Sequence, residues 1–246
     1  MDTVPIALTI AGFDPSGGAG VLADVRTFAA FGASAVAAVT SLTFQNDREF
    51  FGAVHQTGAT VRSQVESLTE QYSIACAKTG MLPTAEVVSE VARLFCDGKL
   101  PPPVVDPVLV SSSGKPLVED NAVSLLKNEL FAVSRLVTPN IPEAETLTGL
   151  EITSELLMRE AAAQIRKLGA RAVLIKGGHL GGDQSIDVLD DGGQVTVFRD
   201  ERIQGAAIHG SGCILSAAIA AGLGKGKTLE NAVADAKRFV FAELRK

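Results

Sequence analysis

The sequence predicts an α/β fold in which a mostly parallel β-sheet carries helices on both faces. Short apolar runs rich in β-branched residues alternate with longer stretches of helical periodicity, a pattern typical of strand–helix–strand units. Polar and glycine-rich residues follow nearly every predicted strand at its carboxyl end, and those ends form the ligand-binding edge of a doubly wound sheet. The 246 residues are 46% hydrophobic and contain no linker-like segment. We therefore expect a single domain over residues 1–246.

The individual elements follow from these local patterns. Strands are predicted at residues 6–11, 35–44, 74–77, 104–105, 135–137, 172–175, 185–189 and 194–198, the last two as edge strands. Helices are predicted near residues 20–31, 60–68, 84–95, 121–129 and 154–167, and two more complete the chain. The run at 35–44 has so few polar residues that we expect it to be buried on both faces, as in a parallel sheet.

Charge and cysteine content argue against several classes of protein. The formal net charge is −6 and no basic cluster occurs, so nucleic acid and anionic membranes are poor partners. The three cysteines, Cys76, Cys96 and Cys213, are widely spaced and form no C-x-x-C pair, which favours a reducing compartment over a disulfide framework or structural zinc. Residues 1–5 have no basic segment, so we expect a cytoplasmic protein without an export or membrane signal.

The segment 208–213 (Ile-His-Gly-Ser-Gly-Cys) opens an alanine-rich apolar run and predicts an anion-binding helix N-terminus. Backbone N–H groups at such a terminus converge on the positive end of the helix dipole. Cys213 lies at the mouth of this loop, where the same donors are expected to lower the pKa of the thiol and make it a base or nucleophile. The alternative is a buried, inert cysteine in the first helical turn. His209, just outside the helix, is more often structural than a general base.

Two other glycine-rich segments resemble nucleotide-binding motifs less well. Residues 18–23 match G-x-G-x-x-A, but residues 12–17 separate them from the strand, so a substrate-enclosing loop is favoured over a dinucleotide site or a plain turn. Residues 221–228 fall one residue short of a P-loop and lie between two predicted helices. We interpret them as a helix C-cap with nearby lysines, which assigns phosphate binding to residues 209–213.

Oxygen-bearing side chains at neighbouring strand ends suggest a metal site. Asp106, Asn140 and Glu143 stand after adjacent predicted strands, and Mg²⁺ prefers few carboxylate ligands together with water. The alternative is that Asp106 and Asn140 only cap loops beside prolines. Lys176, after the next strand, either neutralises a phosphate or is solvated.

A family resemblance rests on several segments spread along the chain. These are 7–12 (ALTIAG), 14–20 (DPSGGAG) with Ala23 and Asp24, 78–82 (KTGML), 106–108 (DPV), 138–140 (TPN) with Glu143, 176–179 (KGGH) and 209–213 (HGSGC). In this order they resemble the hydroxymethylpyrimidine and phosphomethylpyrimidine kinases of thiamine biosynthesis, which have a ribokinase-like fold. The chain departs from the family pattern at Ser211, where threonine is usual, at Asp47, and at residues 206–208, which lack a hydroxyl residue before the histidine.

The resemblance implies a set of roles. ATP and Mg²⁺ are the implied cofactors, a small pyrimidine is the substrate, and homodimers are common among the relatives. Residues 210–213 correspond to the family's anion hole and catalytic position, with Gly210, Ser211 and Gly212 beside Cys213, where many relatives have aspartate. Asn140 and Glu143 match the family's Asn-x-x-Glu pattern for Mg²⁺ with Asp106 nearby, and Lys176 falls near the ATP phosphates. The residues implied to surround the aminopyrimidine are Gly12, Ala19, Asp24, Gln45, Met81 and Val108.

The sequence therefore predicts in-line transfer of the γ-phosphoryl group of ATP to 4-amino-5-hydroxymethyl-2-methylpyrimidine and then to its monophosphate. Cys213, as thiolate, is expected to accept the hydroxyl proton while the loop N–H groups stabilise the transferring oxygens. Alternatives are a pyridoxal kinase on the same scaffold, which Gln45 and Asn46 disfavour, a catalytically silent pyrimidine-binding protein, and a dinucleotide-dependent oxidoreductase.

Overall fold

The computed structural model describes residues 4–46, 48–111, 114–178, 180–203 and 209–245. Asp47, His179 and residues 206–208, which the sequence patterns single out, lie outside these ranges. The strands are β1 (Ile6–Phe13), β2 (Ser34–Gln45), β3 (Phe50–His55), β4 (Ile74–Thr79), β5 (Val104–Val105), β6 (Leu136–Val137), β7 (Ala172–Ile175), β8 (Gln184–Asp191) and β9 (Gln194–Glu201).

Helices separate most of the strands. They are α1 (Gly20–Ala30), α2 (Gly58–Thr69), α3 (Ala85–Cys96), α4 (Asp120–Leu125), α5 (Phe131–Val133), α6 (Ile141–Thr148), α7 (Glu155–Lys167), α8 (Ser211–Gly224) and α9 (Leu229–Leu244). A π-helical turn, Leu126–Leu130, joins α4 to α5. Among the described residues, no helix is long and apolar enough to cross a membrane.

All described strands belong to one sheet, in the order β3-β2-β1-β4-β5-β6-β7-β8-β9. Neighbouring strands from β2 to β7 run parallel, whereas β3, β8 and β9 pair antiparallel with their neighbours. The predicted mostly parallel α/β sheet is confirmed. The order reverses at β1, which has β2 on one side and β4 on the other, and this switch point opens a crevice at the carboxyl ends of the strands.

Two apolar layers cover the sheet because alternate residues of each strand face opposite sides. In β7, Val173 and Ile175 pack with residues of α2, α3, α6 and α7. Leu174, between them, packs in the second layer with residues of α1, α8 and α9, including Phe28. The N-termini of α1 and α8 lie in the same layer, which places them together at one edge of the sheet.

Two elements escaped the sequence prediction. β3 pairs antiparallel with the end of β2, and β2 is not buried on both faces, since Leu42 is 46% and Phe44 53% exposed. The second missed element is α6, because Pro142 reads as a helix breaker. Proline is tolerated in the first turn, where its missing N–H has no intrahelical partner, and Pro142 occupies that turn.

The P-loop alternative fails for a structural reason. Residues 225–228 form the turn between α8 and α9, with Gly226 at φ 78° and Thr228 capping α9. A P-loop needs a strand in front of it, and here α8 occupies that place. The interpretation of this segment as a helix-ending turn is confirmed.

Candidate active site

A cavity of about 630 Å³ opens at the carboxyl edge of the sheet, beside β1. Loops after β1, β4, β5, β6 and β7 supply its walls, and the N-terminus of α8 closes one side. The sequence-predicted residues that line it are Gly12, Ala19, Gln45, Met81, Asp106, Val108, Asn140, Glu143, Lys176, Gly210, Ser211, Gly212 and Cys213. One edge of the sheet thus brings together nearly all of the predicted site.

Asp24 is the exception, and the structure corrects the contact with the pyrimidine ring implied for it. Its side chain is fully buried in α1 and does not reach the cavity wall. The carboxylate accepts a hydrogen bond from Thr9 Oγ1 at 2.6 Å and pairs with Lys78 Nζ at 2.9 Å. Lys78 Nζ donates to both carboxylate oxygens of Asp24. Asp24 therefore holds Lys78 beneath the cavity and does not itself contact a molecule bound there.

Lys78 is a functional candidate that the sequence analysis did not single out. Burial acts to lower the pKa of Lys78, but the negative charge of Asp24, with smaller contributions from Cys213 and Asp106, outweighs it and raises that pKa. The ammonium group therefore stays charged beneath the cavity. Space for it depends on Gly80, where an added Cβ would lie 2.9 Å from Lys78 Nζ.

The 210–213 loop has the predicted form of a helix N-terminus. Gly210 is the N-cap of α8 with φ 80°, and α8 begins at Ser211. The first N–H groups of a helix have no intrahelical acceptor, and in this loop they belong to residues that line the cavity. A negative group in the cavity would meet these donors together with the positive end of the helix dipole.

The expected lowering of the Cys213 pKa is wrong. Cys213 is 9% exposed, and burial raises the pKa of its thiol to about 11, although the positive charge of Lys78 acts to lower it. The carboxylates of Asp24 and Asp106 raise the pKa further, while a hydrogen bond from the backbone N–H of Gly20 lowers it. The cost of burying a thiolate thus exceeds the gain from the surrounding donors.

Lys176 and two carboxyl groups, those of Asp106 and Glu143, form a charged cluster in the cavity wall. Lys176 Nζ lies 2.9 Å from Asp106 Oδ1, and the lysine side chain is 14% exposed, so the solvated alternative for Lys176 is excluded. Burial acts to raise the pKa of Asp106, but the charges of Lys176 and Lys78 lower it. Burial and the negative charge of Asp106 raise the pKa of Glu143 to about 7, against the opposing effect of Lys176.

Asn140 and Glu143 form a capping box at the start of α6. Asn140 Oδ1 accepts from the Glu143 N–H at 2.8 Å, and Glu143 Oε2 accepts from the Asn140 N–H at 2.7 Å. The capping alternative therefore holds for Asn140, whose side-chain oxygen is committed to the helix. Glu143 Oε1 has no such role in the box, and the residue lines the cavity.

The carboxylate pair fits a divalent cation, although the described residues contain no cluster of three or more His, Cys, Asp or Glu side chains around one point. Burial and, to a smaller extent, the negative charge of Asp106 raise the pKa of Glu143, and a cation beside it would offset both effects. Mg²⁺ suits two carboxylates because it keeps several waters and binds through few protein ligands.

An apolar wall at the far end of the cavity was missed by the sequence analysis. It consists of Ile203 together with Val240, Phe241 and Leu244 of α9. The three helical residues, at positions i, i+1 and i+4, lie on one helix face, which is the signal that could have identified them. A flat, uncharged ring fits this wall better than a phosphate does.

Comparison with known proteins gives consistent results. The model of a family described as phosphomethylpyrimidine kinase matches residues 14–246. The chain is 41% identical over 238 residues to a hydroxymethylpyrimidine/phosphomethylpyrimidine kinase of Streptomyces coelicolor, covering 97% of this chain and 88% of that protein. It is 43% identical over 238 residues to a thiamine biosynthesis bifunctional protein of Geobacter sulfurreducens. That alignment covers 97% of this chain but only 49% of the relative.

Solved structures share the same architecture. A phosphomethylpyrimidine kinase from Clostridium difficile superposes with a TM-score of 0.86 at 33% identity, covering 98% of this chain and 99% of the other. A pyridoxal kinase from Staphylococcus aureus in complex with AMP-PCP and pyridoxal gives a TM-score of 0.88 at 31% identity, covering 97% and 87%. Both agree with the predicted ribokinase-like fold.

The raised pKa of Cys213 is testable by thiolate absorbance at 240 nm. The Cys213 signal is the difference in absorbance between the Cys96→Ser variant and the Cys96→Ser/Cys213→Ser double variant. With a pKa of about 11, we expect only about 1% thiolate at pH 9 and a signal still rising at pH 10.5. The buried Cys76, whose pKa burial raises to about 12, cancels in the difference. A completed titration below pH 8.5 would contradict the burial argument.

Proposed function

Because the chain belongs to the phosphomethylpyrimidine kinase family, we propose that it transfers the γ-phosphoryl group of ATP to the hydroxymethyl oxygen of 4-amino-5-hydroxymethyl-2-methylpyrimidine, and then to the resulting monophosphate. The observation that carries the proposal is that one cavity combines the N-terminus of α8 with a ring-sized wall and a lysine–carboxylate cluster. The reaction is a step of thiamine biosynthesis, and the chain is a phosphotransferase.

The acceptor ring is proposed to lie between the ends of β1, β2 and β4. Gly12, Gln45 and Met81 line this part of the cavity. An added Cβ on Gly12 would lie 3.3 Å from the sulfur of Met81, so glycine at this position keeps the space open. The Gln45 amide offers one acceptor and two donors, which matches a ring with both nitrogen acceptors and an amino group.

The nucleotide is proposed to occupy the opposite end. Its base would rest on the wall formed by Ile203 and the apolar face of α9, and its phosphates would extend toward Lys176 and the start of α8. This direction is supported by charge, since Lys176 and the α8 N-terminus are positive features of the cavity wall. Arg202 and Lys237 also line the cavity, but Arg202 donates to backbone carbonyls and Lys237 pairs with Asp187 and Asp200. Asp106 and Glu143 would hold Mg²⁺, which when bound neutralises phosphate charge and orients the oxygens.

In the proposed transfer, the acceptor oxygen forms a bond to the γ-phosphorus while the bond from phosphorus to the leaving oxygen of ADP breaks. The hydroxyl proton passes to the Cys213 thiolate. At neutral pH a thiol with a pKa of about 11 is about one part in 10⁴ thiolate, so the base is weakly populated. A loose transition state needs little help from a base before it is reached, and each preorganised N–H donor contributes about 3 to 4 kcal/mol. The 210–213 loop therefore carries more of the rate than the thiol.

Pyridoxal phosphorylation is the second candidate. Its support is that the S. aureus pyridoxal kinase superposes with a TM-score of 0.88, against 0.86 for the C. difficile phosphomethylpyrimidine kinase. The shared fold therefore does not separate the two acceptors, whereas the identities of about 40% to named pyrimidine kinases over nearly the full chain favour the pyrimidine. We place the enzyme in the cytoplasm, where its free thiols would remain reduced.

We also propose that the protein is a homodimer. Along β2, Thr43 and Gln45 line the cavity, so Leu42 and Phe44, which alternate with them, face away from it. Val54 of β3 pairs with Leu42, and these three apolar side chains are 46%, 53% and 53% exposed. A second copy of the chain would cover an apolar surface that is costly to leave in water.

The activity is tested by measuring ADP release with Mg-ATP and, in separate reactions, hydroxymethylpyrimidine, its monophosphate and pyridoxal. We expect the highest kcat/KM for the two pyrimidines. A higher value for pyridoxal would favour the second candidate. Binding of the pyrimidine without ADP release would identify a catalytically silent binding protein.

The role of Cys213 is tested by Cys213→Ala. We expect kcat to fall by about 10²-fold because proton transfer to the base is lost, while the Kd values for ATP and pyrimidine, measured by calorimetry, stay within about threefold. Cys96→Ala, which changes an exposed cysteine at the end of α3, is the matched control and should retain wild-type kcat. Near-normal turnover of Cys213→Ala would remove the thiol from the mechanism.

The dimer is tested by sedimentation velocity of Phe44→Glu. A charge in the middle of the apolar surface should convert the protein to a monomer because burying an unpaired carboxylate is costly. Leu156→Glu is the control, since Leu156 on α7 is 74% exposed and lies outside this surface. A monomeric wild type at tens of micromolar would refute the proposal.

A further inference from the structure

We infer that Asp14 and His209 form a latch that positions the catalytic loop. In this role the pair holds residues 13–20, which follow β1, against residues 209–213, which open α8. The inference rests on the proposed function of the 210–213 loop, and it adds two residues to the machinery that act through others. Neither is assigned to substrate.

Asp14 is the charged centre of the latch. It is 1% exposed, and its carboxylate accepts hydrogen bonds from Ser16 N at 2.9 Å, Ser16 Oγ at 2.8 Å and Ala19 N at 2.9 Å. These bonds fold residues 14–19 around the carboxylate. Burial acts to raise the pKa of Asp14, but this set of donors lowers it, so the group is ionised and its bonds are charge-assisted.

His209 is the donor that comes from elsewhere in the chain. Its Nε2 lies 3.0 Å from Asp14 Oδ2, across a separation of 195 residues. The imidazole ring also packs on Gly18, where an added Cβ would lie 2.4 Å from His209 Cδ2. A ring nitrogen bonded to a buried carboxylate is poorly placed to remove a substrate proton, so we treat His209 as a positioning residue and not as a base.

The two loops meet again immediately beyond His209. An added Cβ on Gly210 would lie 2.1 Å from the carbonyl oxygen of Gly18 and 2.9 Å from Ala19 Cα. Gly210 also has φ 80°, a conformation that glycine adopts without strain. The backbone of one loop therefore rests directly on the backbone of the other, and the latch fixes the alignment of this contact.

The third contact reaches the thiol. The backbone N–H of Gly20, the first residue of α1, acts to lower the pKa of the Cys213 thiol. The strand-like pairing of Phe13 with Gly20 and the bonds to Asp14 hold Gly20 in place. A loop that loses the latch would carry this donor away from the sulfur and would also change the distance between the acceptor wall at Ala19 and the donors of α8.

This geometry separates the expected effect on turnover from that on binding. Ala19 lines the acceptor side of the cavity and Gly210 to Cys213 line the phosphate side, so the latch joins the two reacting halves. Misplacement by a fraction of an ångström weakens in-line attack far more than it weakens either binding step. The residues proposed to hold the nucleotide base, on α9 and at Ile203, and Lys176 after β7 lie outside both loops, so only the phosphate contacts at the start of α8 depend on the latch.

The test compares His209→Leu with His209→Gln, whose amide can still donate to Asp14. We expect kcat of the leucine variant to fall about 10- to 100-fold while the KM for ATP stays within about threefold, and the glutamine variant to recover most of the loss. His55→Leu is the matched control, because the hydrogen bond between His55 and Ser41 does not join the two loops, and the variant should retain wild-type kcat.

A second readout does not depend on activity. In the thiolate titration at 240 nm, His209→Leu should show less Cys213 thiolate than the wild type at every pH up to 10.5, because the Gly20 donor is displaced, whereas His209→Gln should follow the wild type. The charges that face the thiol, on Lys78, Asp24 and Asp106, are unchanged in both variants. If His209→Leu does not fold, Asp14→Asn asks the same question, since it keeps the acceptor oxygen and removes the charge.

A wild-type kcat and an unchanged titration in His209→Leu would overturn the latch. Equal losses in the leucine and glutamine variants would also overturn it, because the bond to Asp14 would then be irrelevant. Additive losses in the Asp14→Asn/His209→Leu double variant would do the same by showing that the residues act independently. A wild type inactive with all pyrimidine acceptors would instead refute the proposed function, and the titration would still decide the latch.

Discussion

The site depends on charges that are buried beneath it and compensated by other buried charges. Lys78 and Asp24 have no exposed side-chain surface, and an uncompensated ion in such a place would cost several kcal/mol. The pair is retained under a cavity in which Lys176 and Asp106 form a second bonded pair. Each lysine is paired with a carboxylate. The positive electrostatic potential of each ammonium group therefore acts only over a short distance. The cavity can then attract a phosphate without a permanently unpaired charge in the core.

This arrangement explains why Cys213 behaves differently from an activated cysteine in an open cleft. The donors that favour a thiolate, Lys78 and the Gly20 N–H, are both present, but burial opposes them and has the larger effect. A strongly ionised thiolate would also repel the phosphate that the loop is proposed to bind. We propose that the small thiolate fraction of Cys213 suffices as the proton acceptor, because well-oriented N–H groups supply most of the stabilisation and the proton leaves late.

Much of the fold and site could be predicted because its signals are local. The β-branched runs at 6–13 and 172–175 and the Gly-Ser-Gly segment before α8 carry their structure in adjacent residues. The failures arose where the deciding partner is distant in sequence. The family resemblance assigned Asp24 to the substrate, and its partner in the structure, Lys78, lies 54 residues away in the chain. The pKa of Cys213 was predicted to fall, whereas burial raises it. A local sequence motif shows which N–H donors are nearby, but it does not show how deeply the thiol is buried. α6 was missed because Pro142 breaks most helices but not a first turn.

The close backbone approach between Gly18 and Gly210 has a consequence for how such a sequence can change. Any side chain at either position would occupy space held by the opposite loop or by the His209 ring. Both positions are therefore restricted to glycine. A substitution tolerated at one of them would not make room for a side chain at the other. Cavity positions such as Gln45 and Val108 can vary without this constraint, because a change of side chain there leaves the junction of the two loops intact.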